Sequence, residues 1–366
     1  MKRRSLLHSA MSITGVLGAA QYLEPLGQAA RGRLQTTLQM QIGSQRGPIS
    51  PEMLQFFQRY GVKHICGCPP YSKARGYWTV SELEQTRDLC LEYGISLDMV
   101  ALPFLTSSHI DHEKRGAIML GESGDRDRDI EYIQRMIACC AKVGIPAIKY
   151  NLSLLGVLRT KPTQGRGRST YQSWKYSEAV PPTPYTRAGL VDEELAWERI
   201  EYFLKQIIPV CNEFHIRAAC HPHDPGVPPE GYQGVCRVLG TVSGLKRLLS
   251  IQSSPLHGLN FCVGTVAEML QDPAREILPI VQHFAQQKKI FNVHLRNIRG
   301  HRDDFQEVYV DEGDLDLFQI LSVLKDAGYP YLVMPDHVPR HASDPDSLQA
   351  FAHSFGYIQG LLHSLD

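Results

Sequence analysis

The stretch IFNVHLR at residues 290–296, followed by DLDLFQILSVLKDA at 314–327 and YLVMPD at 331–336, predicts a strand, a helix and a second strand. The first and third segments are short apolar runs of the length that buried strands have. The middle segment carries apolar residues at helical spacing, and Gly328 follows it as a residue that ends helices. Such a βαβ unit places its two strands parallel in one sheet.

The same alternation extends over most of the 366 residues. Candidate strands are residues 34–42, 62–67, 96–102, 147–152, 216–221, 259–263, 290–296 and 331–336. Candidate helices are residues 51–60, 80–93, 127–143, 192–214, 242–250, 276–287, 314–327 and 346–365. Eight repeats predict an α/β fold of the (β/α)8 TIM-barrel type. The rival, a doubly wound open sheet, would need a glycine-rich turn after an early strand, and Gly165 and Gly167 lie in a polar loop instead.

One connection, residues 153–190 after the fourth strand, is unusually long and rich in Pro, Gly, Ser and Thr. In a barrel it leaves from the catalytic face, since active sites lie at the carboxyl ends of the strands. It carries the cations Arg159, Lys161, Arg166, Arg168 and Lys175, interleaved with Tyr171, Trp174 and Tyr176. We interpret it as a lid over an anionic or hydroxylated ligand, with a solvated linker as the alternative.

The first residues, MKRRSLLHSAMSITGVLGAA, resemble a twin-arginine export signal. Arg3 and Arg4 precede a short, weakly apolar run, and Gly18 and Ala20 offer a small-residue cleavage site. The alternative is an amphipathic N-terminal helix. We therefore expect residues 1–30 to be an export signal, residues 31–366 to form a single barrel domain, and the protein to be periplasmic, or cytoplasmic if the leader is not functional.

Composition narrows the classes of partner. Lys and Arg number 38, as do Asp and Glu, so the formal net charge is zero, which gives no electrostatic footprint for nucleic acid. No apolar run reaches the ~20 residues of a membrane-spanning helix. We expect neither a nucleic-acid partner nor stable membrane association, whereas a homo-oligomer stays open.

Four consecutive strands end in a group that can bind a metal ion. The fifth to eighth predicted strands end in AACHPHDP, NFCVG, FNVHLRN and YLVMPDH, which supply His221, Cys262, His294 and Asp336. Each group alone is more often structural, and a slip of one residue would turn a side chain to the other face of the barrel. Because neighbouring strand ends meet on one rim of a barrel, together they predict a divalent metal site.

The ligand set suggests chemistry. A cysteine ligand disfavours Mg²⁺, suits Zn²⁺ or Fe²⁺ and tolerates Mn²⁺. An ion with open positions would act as a Lewis acid beside a substrate carboxylate. His337 is placed as a general acid or base, and Arg296 as a bidentate receptor for a carboxylate.

At these residues the sequence resembles the mannonate dehydratase family of xylose-isomerase-like barrels, which convert D-mannonate to 2-keto-3-deoxy-D-gluconate. The matching segments are HPHDP at 221–225, NFCVGTV around Cys262, VHLRN at 293–297 and PDH at 335–337, with GDRDRDIEYI at 124–133 and KYNLSLLGVLRT at 149–160 upstream. The resemblance implies Mn²⁺ or Fe²⁺ on His221, Cys262, His294 and Asp336. It also implies proton transfer by Asp336 and His337, and a sugar acid contacted by Arg296, Asn297, Asn151 and Arg159.

The chain departs from the family pattern at positions expected to face the substrate. His223 stands where the family has a carboxylate, and no tyrosine follows the PDH segment before Tyr357, which leaves Phe351 as the candidate for the place of a family tyrosine. The leading function is therefore a metal-dependent hydro-lyase acting on a sugar acid. The alternatives are a metal-dependent sugar isomerase or epimerase, and an exported sugar-acid-binding protein without turnover.

Overall fold

The computed structural model describes residues 40–179 and 185–365, and its centre is a closed barrel of eight parallel strands. The strands are Gln41–Ser44 (β1), His64–Gly67 (β2), Ser96–Ala101 (β3), Ala147–Asn151 (β4), Arg217–His221 (β5), His257–Cys262 (β6), Ile290–His294 (β7) and Leu332–Met334 (β8). Each strand pairs with its neighbours along the chain, and β8 closes the barrel on β1. The prediction of a TIM barrel is confirmed.

Within the described residues, eight helices follow the strands. They are Pro51–Arg59 (α1), Val80–Glu92 (α2), Asp125–Val143 (α3), Glu193–Glu213 (α4), Val242–Ile251 (α5), Pro273–Gln286 (α6), Leu317–Asp326 (α7) and Leu348–Leu365 (α8). Two short helices, Ala117–Leu120 and Val263–Ala267, are additional. Local sequence sets the ends: Thr79 and Glu82 form a capping box at α2, and Gly144 ends α3 in the left-handed conformation. No helix in the described ranges is both long and apolar enough to cross a bilayer.

The barrel interior is apolar near the amino ends of the strands and polar near their carboxyl ends. Met99, Phe291 and Met334 are among the buried side chains that fill the lower part. Above them, Asn292 donates a hydrogen bond to Asn260 across β7 and β6, at 2.5 Å. Side chains two residues further along each strand point to the same side. Apolar side chains therefore close the barrel interior at the amino ends of the strands, and polar side chains line it at the carboxyl ends.

The long connection after β4 is built onto the connection after β7. Its strand Ser173–Lys175 pairs antiparallel with Asp304–Glu307, which in turn pairs with Ile298–His301. Residues 180–184 of the connection lie outside the described ranges, as does the whole of the proposed leader, residues 1–30.

Several of the aromatic and cationic side chains of this connection have structural partners. Tyr171 and Trp174 are buried, and Arg166 binds both carboxylate oxygens of Asp311, at 2.8 and 2.9 Å. These contacts anchor the segment to the barrel, while its movement as a lid remains a prediction.

Candidate active site

The four predicted metal ligands meet at the mouth of the barrel. His221, Cys262 and His294 are the last residues of β5, β6 and β7, and Asp336 follows β8 by two residues. One donor atom from each side chain lies within 4.8 Å of the others. The Asp336 carboxylate is 3.5 Å from Cys262 Sγ and 3.4 Å from His294 Nδ1.

The two histidines of this cluster each have a ring nitrogen that can bind a cation. His294 is fully buried, and neither of its ring nitrogens has a hydrogen-bond partner among the described residues. Nδ1 of His221 lies 2.7 Å from the Pro222 carbonyl, which leaves Nε2 for a ligand. Burial lowers the pKa of His294 to about 4, so the imidazole is neutral, as coordination requires. The donor set therefore fits a divalent metal ion.

The other two donors complete a mixed set of nitrogen, sulfur and oxygen. Burial raises the pKa of the Cys262 thiol, so coordination would have to release its proton. Burial also opposes ionisation of Asp336, but His337, His294 and Arg296 together outweigh it and hold the pKa of the carboxyl well below its usual range. An ion would accordingly meet an ionised carboxylate and a thiol that ionises on binding.

A cavity of about 310 Å³ opens above the cluster. Its wall contains two cations, Arg46 and Lys149, together with Asn151. Phe351 forms another part of the wall, with the Arg46 guanidinium 4.9 Å from its ring centre. This cavity, called here the catalytic cavity, has the size that a small organic acid requires, and it offers the cations Arg46 and Lys149 beside the carboxylates of Asp224 and Asp336.

A hydrogen-bonded chain joins the wall to the metal cluster. Lys149 donates to Gln45 Oε1 at 2.6 Å, and Gln45 Nε2 donates to Asp336 Oδ1 at 2.9 Å. Gln45 thereby fixes one carboxylate oxygen of Asp336 and orients the ammonium group of Lys149.

His337 lies on the cavity wall beside Asp336. Its Nδ1 is 2.8 Å from Glu307 Oε1, so the other ring nitrogen remains for exchange with a ligand. Burial disfavours the imidazolium, but the carboxylates of Asp336 and Glu307 outweigh it and raise the pKa of His337 to about 9. With this pKa, His337 is a proton donor at neutral pH.

The predicted substrate-binding residue Arg296 lies behind the cavity in a buried network of charges. It donates to Asp224 Oδ2 at 2.6 Å and to Glu307 Oε1 at 2.7 Å, and it also binds Glu268. Its Nε is 3.3 Å from Asp336 Oδ2. Arg296 therefore has four acidic neighbours. It does not line the catalytic cavity in the described structure.

Arg159 belongs to the same network. It pairs with Asp224 at 2.6 Å and donates from Nε to Glu307 at 3.1 Å. The acidic groups Asp224 and Glu307 lie near His337 in an arrangement that could also hold an ion, but Arg159 and Arg296 already neutralise them. The cluster at the strand ends is therefore the better candidate for a metal site.

Asn151 and Asn297, the other two predicted substrate contacts, differ in position. Asn151 lines the cavity, whereas Asn297 is buried and binds the backbone of Val310 and Leu315. Of the predicted substrate contacts, only Asn151 is placed by the structure on the described cavity wall.

Sequence reasoning missed three groups of the site. Lys149 had a usable signal, because it precedes Asn151 by two residues and so faces the same side of β4. Gln45 follows the short strand β1, and Glu307 comes from the hairpin after β7, where no periodic pattern marks an inward side chain.

His223 and Phe351, the two residues at which the chain departs from the family pattern, differ in whether they line the catalytic cavity. His223 is buried and binds the Leu152 carbonyl at 2.8 Å, and it accepts from the amide of Leu239. It serves the loop after β5 and does not line the catalytic cavity in the described structure. Phe351, by contrast, does line it.

Comparisons with known proteins agree with the geometry. A family model described as D-mannonate dehydratase (UxuA) matches residues 183–366. The chain is 31% identical to the mannonate dehydratase of Thermotoga maritima over 319 residues, which cover 77% of this chain and 84% of that protein. It is 26% identical to mannonate dehydratase 2 of Halalkalibacterium halodurans over 320 residues, which cover 80% and 88% of the two chains.

Solved structures show the same fold. The mannonate dehydratase from Streptococcus suis serotype 2 superposes with a TM-score of 0.77 at 23% identity, covering 89% of this chain and 95% of that one. A xylose isomerase domain protein from Planctomyces limnophilus superposes with a TM-score of 0.55 at 13% identity, covering 89% and 98%. The predicted xylose-isomerase-like barrel is thereby confirmed.

The predicted export to the periplasm is wrong. The matched relatives are mannonate dehydratases, which are metabolic enzymes. An arginine pair before a short, weakly apolar run has low specificity, because basic residues beside apolar ones also occur in ordinary N-terminal segments. That pattern does not outweigh the match of most of the remaining chain to metabolic enzymes.

Proposed function

Because the chain belongs to the mannonate dehydratase family, a family of hydro-lyases, we propose that it converts D-mannonate to 2-keto-3-deoxy-D-gluconate and water with the help of a divalent metal ion. The observation that carries the proposal is the convergence of four donor atoms within 4.8 Å beside a cavity whose wall includes the cations Arg46 and Lys149. The ligand chemistry suits Fe²⁺ and tolerates Mn²⁺, the two ions that the family resemblance implies.

The residues that would hold the ion are His221, Cys262, His294 and Asp336. A bound ion would supply Lewis acidity that stabilises negative charge developing beside the substrate carboxylate. The two imidazoles contribute neutral nitrogen donors, and Gln45 holds the Asp336 carboxylate in place.

Dehydration needs one base and one acid. The base removes the proton on the carbon next to the carboxylate, and the acid protonates the hydroxyl that leaves the following carbon as water. The ionised carboxylate of Asp336 suits the first role, and protonated His337 suits the second. The resulting enol then takes up a proton on carbon to give the 2-keto-3-deoxy acid, so the atoms balance.

Glu307 is a positioning residue for this chemistry. It binds Nδ1 of His337 and so fixes which ring nitrogen carries the transferable proton. Burial opposes ionisation of Glu307, but the guanidinium of Arg159 lowers its pKa, so it remains a carboxylate that can support the imidazolium.

Lys149, with Arg46, takes over the carboxylate-binding role predicted for Arg296. Replacing it by methionine should raise KM for the sugar acid about 10- to 100-fold, because a charge-assisted hydrogen bond of about 1.5–3 kcal/mol is lost. Steady-state kinetics will measure the effect. Lys161→Met is the matched control, since Lys161 is exposed on the long connection and should leave KM unchanged. Equal KM values for the two variants would contradict this role of Lys149.

Product analysis tests the proposed reaction. The full-length protein, loaded with Mn²⁺ or Fe²⁺, is incubated with D-mannonate, and the products are identified by NMR spectroscopy. A 2-keto-3-deoxy acid supports the dehydratase. An isomer of unchanged composition would show the isomerase or epimerase alternative, because isomerisation releases no water. Saturable binding without any product would show a sugar-acid-binding protein without turnover.

A further inference from the structure

The wall of the catalytic cavity contains one phenyl ring among its described lining residues, that of Phe351. The residue lies near the start of α8, and its side chain is 8% exposed. A phenyl ring carries no group that donates or accepts a conventional hydrogen bond, so it does not hold the hydroxyls of a sugar acid as a polar side chain would. Any contribution of Phe351 to binding therefore comes from its shape and its ring face.

The ring face of Phe351 contacts the guanidinium of Arg46, whose Cζ is 4.9 Å from the ring centre. Such a cation–π contact restricts the plane of the guanidinium. Arg46 Nη2 also donates to the carbonyl of Asp346, shortly before α8. Among the described residues no carboxylate pairs with Arg46, although it lines the catalytic cavity. Two contacts from the start of α8 therefore hold a cation that remains open to an anionic ligand.

Phe351 is itself held by aromatic neighbours. Its ring centre is 6.1 Å from that of Phe355, which in turn lies 6.1 Å from Phe56 and 6.3 Å from Phe57 of α1. Phe355 and Phe57 are fully buried. Arg46 belongs to the connection between β1 and α1. The packing of α1 against α8 thus brings the ring and the guanidinium together.

We propose that Phe351 is a positioning residue that holds the Arg46 guanidinium on the wall of the catalytic cavity, where Arg46 binds the carboxylate of the substrate. This inference rests on the proposed function, because the sugar acid supplies the anionic partner. An arginine binds a carboxylate more tightly when its guanidinium is fixed in advance, since less side-chain freedom is lost on binding. The ring of Phe351 provides that restriction without touching the reacting atoms.

Steady-state kinetics of the Mn²⁺-loaded Phe351→Leu variant with D-mannonate test the proposal. Leucine keeps an apolar contact with Phe355 but removes the ring face. KM should rise about three- to tenfold while kcat stays within about twofold of the wild-type value, because binding of the ground state and of the transition state is weakened alike. Phe351→Tyr keeps the ring face and should return KM to the wild-type value or below. If Phe351→Leu does not fold, Phe351→Met takes its place.

A double-mutant cycle with Arg46 separates positioning from a direct or purely structural role. Arg46→Met should raise KM about tenfold or more, because a charge-assisted contact with the carboxylate is lost. In that background Phe351→Leu should change KM by less than about twofold, since the group that the ring positions is gone. A full effect of Phe351→Leu in the Arg46→Met background would overturn the proposal.

Tyr202→Leu is the matched control. It removes the ring beneath another guanidinium, that of Arg126 at 3.5 Å from the ring centre, and neither residue lines the catalytic cavity in the described structure. KM should therefore be unchanged. A rise equal to that of Phe351→Leu would overturn the proposal, because loss of any such ring would then suffice.

The crystal structure of the Phe351→Leu variant separates this inference from the proposed function. Arg46 should leave its wild-type position, and an Arg46 side chain that keeps this position would overturn the proposal whether or not the wild-type protein dehydrates D-mannonate. If Arg46 moves but the wild-type protein forms no product, the proposed function fails instead. The dissociation constant for D-mannonate, measured by isothermal titration calorimetry, then replaces KM in every comparison, and an absence of binding to the wild-type protein would overturn the inference as well.

Discussion

The Cys262→Ser variant is expected to lose its divalent ion and at least about a hundredfold of its turnover. Loss of groups that merely orient metal ligands costs about 10- to 100-fold in metal affinity or activity, and Cys262 is itself a proposed ligand. Its sulfur is buried, 3.5 Å from the Asp336 carboxylate, and a serine hydroxyl at this position ionises far less readily than a thiol. Metal content by elemental analysis and turnover of D-mannonate, measured on the same preparation, report the result.

Cys220→Ser is the matched control for this variant. Cys220 is equally buried and precedes the ligand His221 on β5, so its side chain points to the opposite face of the strand. It should retain the metal content and turnover of the wild type. A Cys262→Ser variant that also retained both would rule out a sulfur ligand.

The second large effect is expected on stability. Arg296→Met should lower the free energy of unfolding by about 3–5 kcal/mol, because removing one partner of a buried ion pair leaves uncompensated charge. Arg296 is 2% exposed and serves Asp224, Glu268 and Glu307 together. Urea unfolding followed by circular dichroism measures the change.

Arg299→Met provides the comparison for Arg296→Met. Its side chain is 45% exposed and pairs with Glu312 at 3.0 Å, and an exposed ion pair contributes at most about 1 kcal/mol. Equal losses in the two variants would show that the buried network does not stabilise the fold as we describe.

The fold could be predicted from the sequence because periodicity and helix-end residues act locally. Gly144 and Gly328 mark helix ends at the positions where the structure has them, and all eight predicted strands overlap observed ones. Parallel strands joined by short connections can adopt only a few sheet topologies. The absence of a glycine-rich turn favoured the closed barrel over the open sheet.

The convergence of the candidate metal ligands was predictable for a related reason. A residue at the carboxyl end of a barrel strand has its position fixed by the strand itself, so His221, Cys262 and His294 could be placed together before their contacts were known. Their function as ligands remains a proposal that the Cys262→Ser variant tests.

The roles of the charged residues around the cluster could not be predicted in the same way. The sequence shows that Arg296 is a cation near a strand end, but it does not show that Asp224, Glu268 and Glu307 already surround it. Those acids come from three separate connections, and their approach depends on long-range packing. We therefore propose the carboxylate-binding role for Lys149, which lines the cavity.

The most direct test of the account is the metal dependence of D-mannonate dehydration by the wild-type protein. The protein is stripped of metal with a chelator, reloaded with Mn²⁺ or Fe²⁺, and assayed for the 2-keto-3-deoxy acid. We expect no product from the stripped protein and restored product formation on reloading with at least one of the two ions. Undiminished product formation by protein shown to be metal-free would contradict the proposed role of the cluster at the mouth of the barrel.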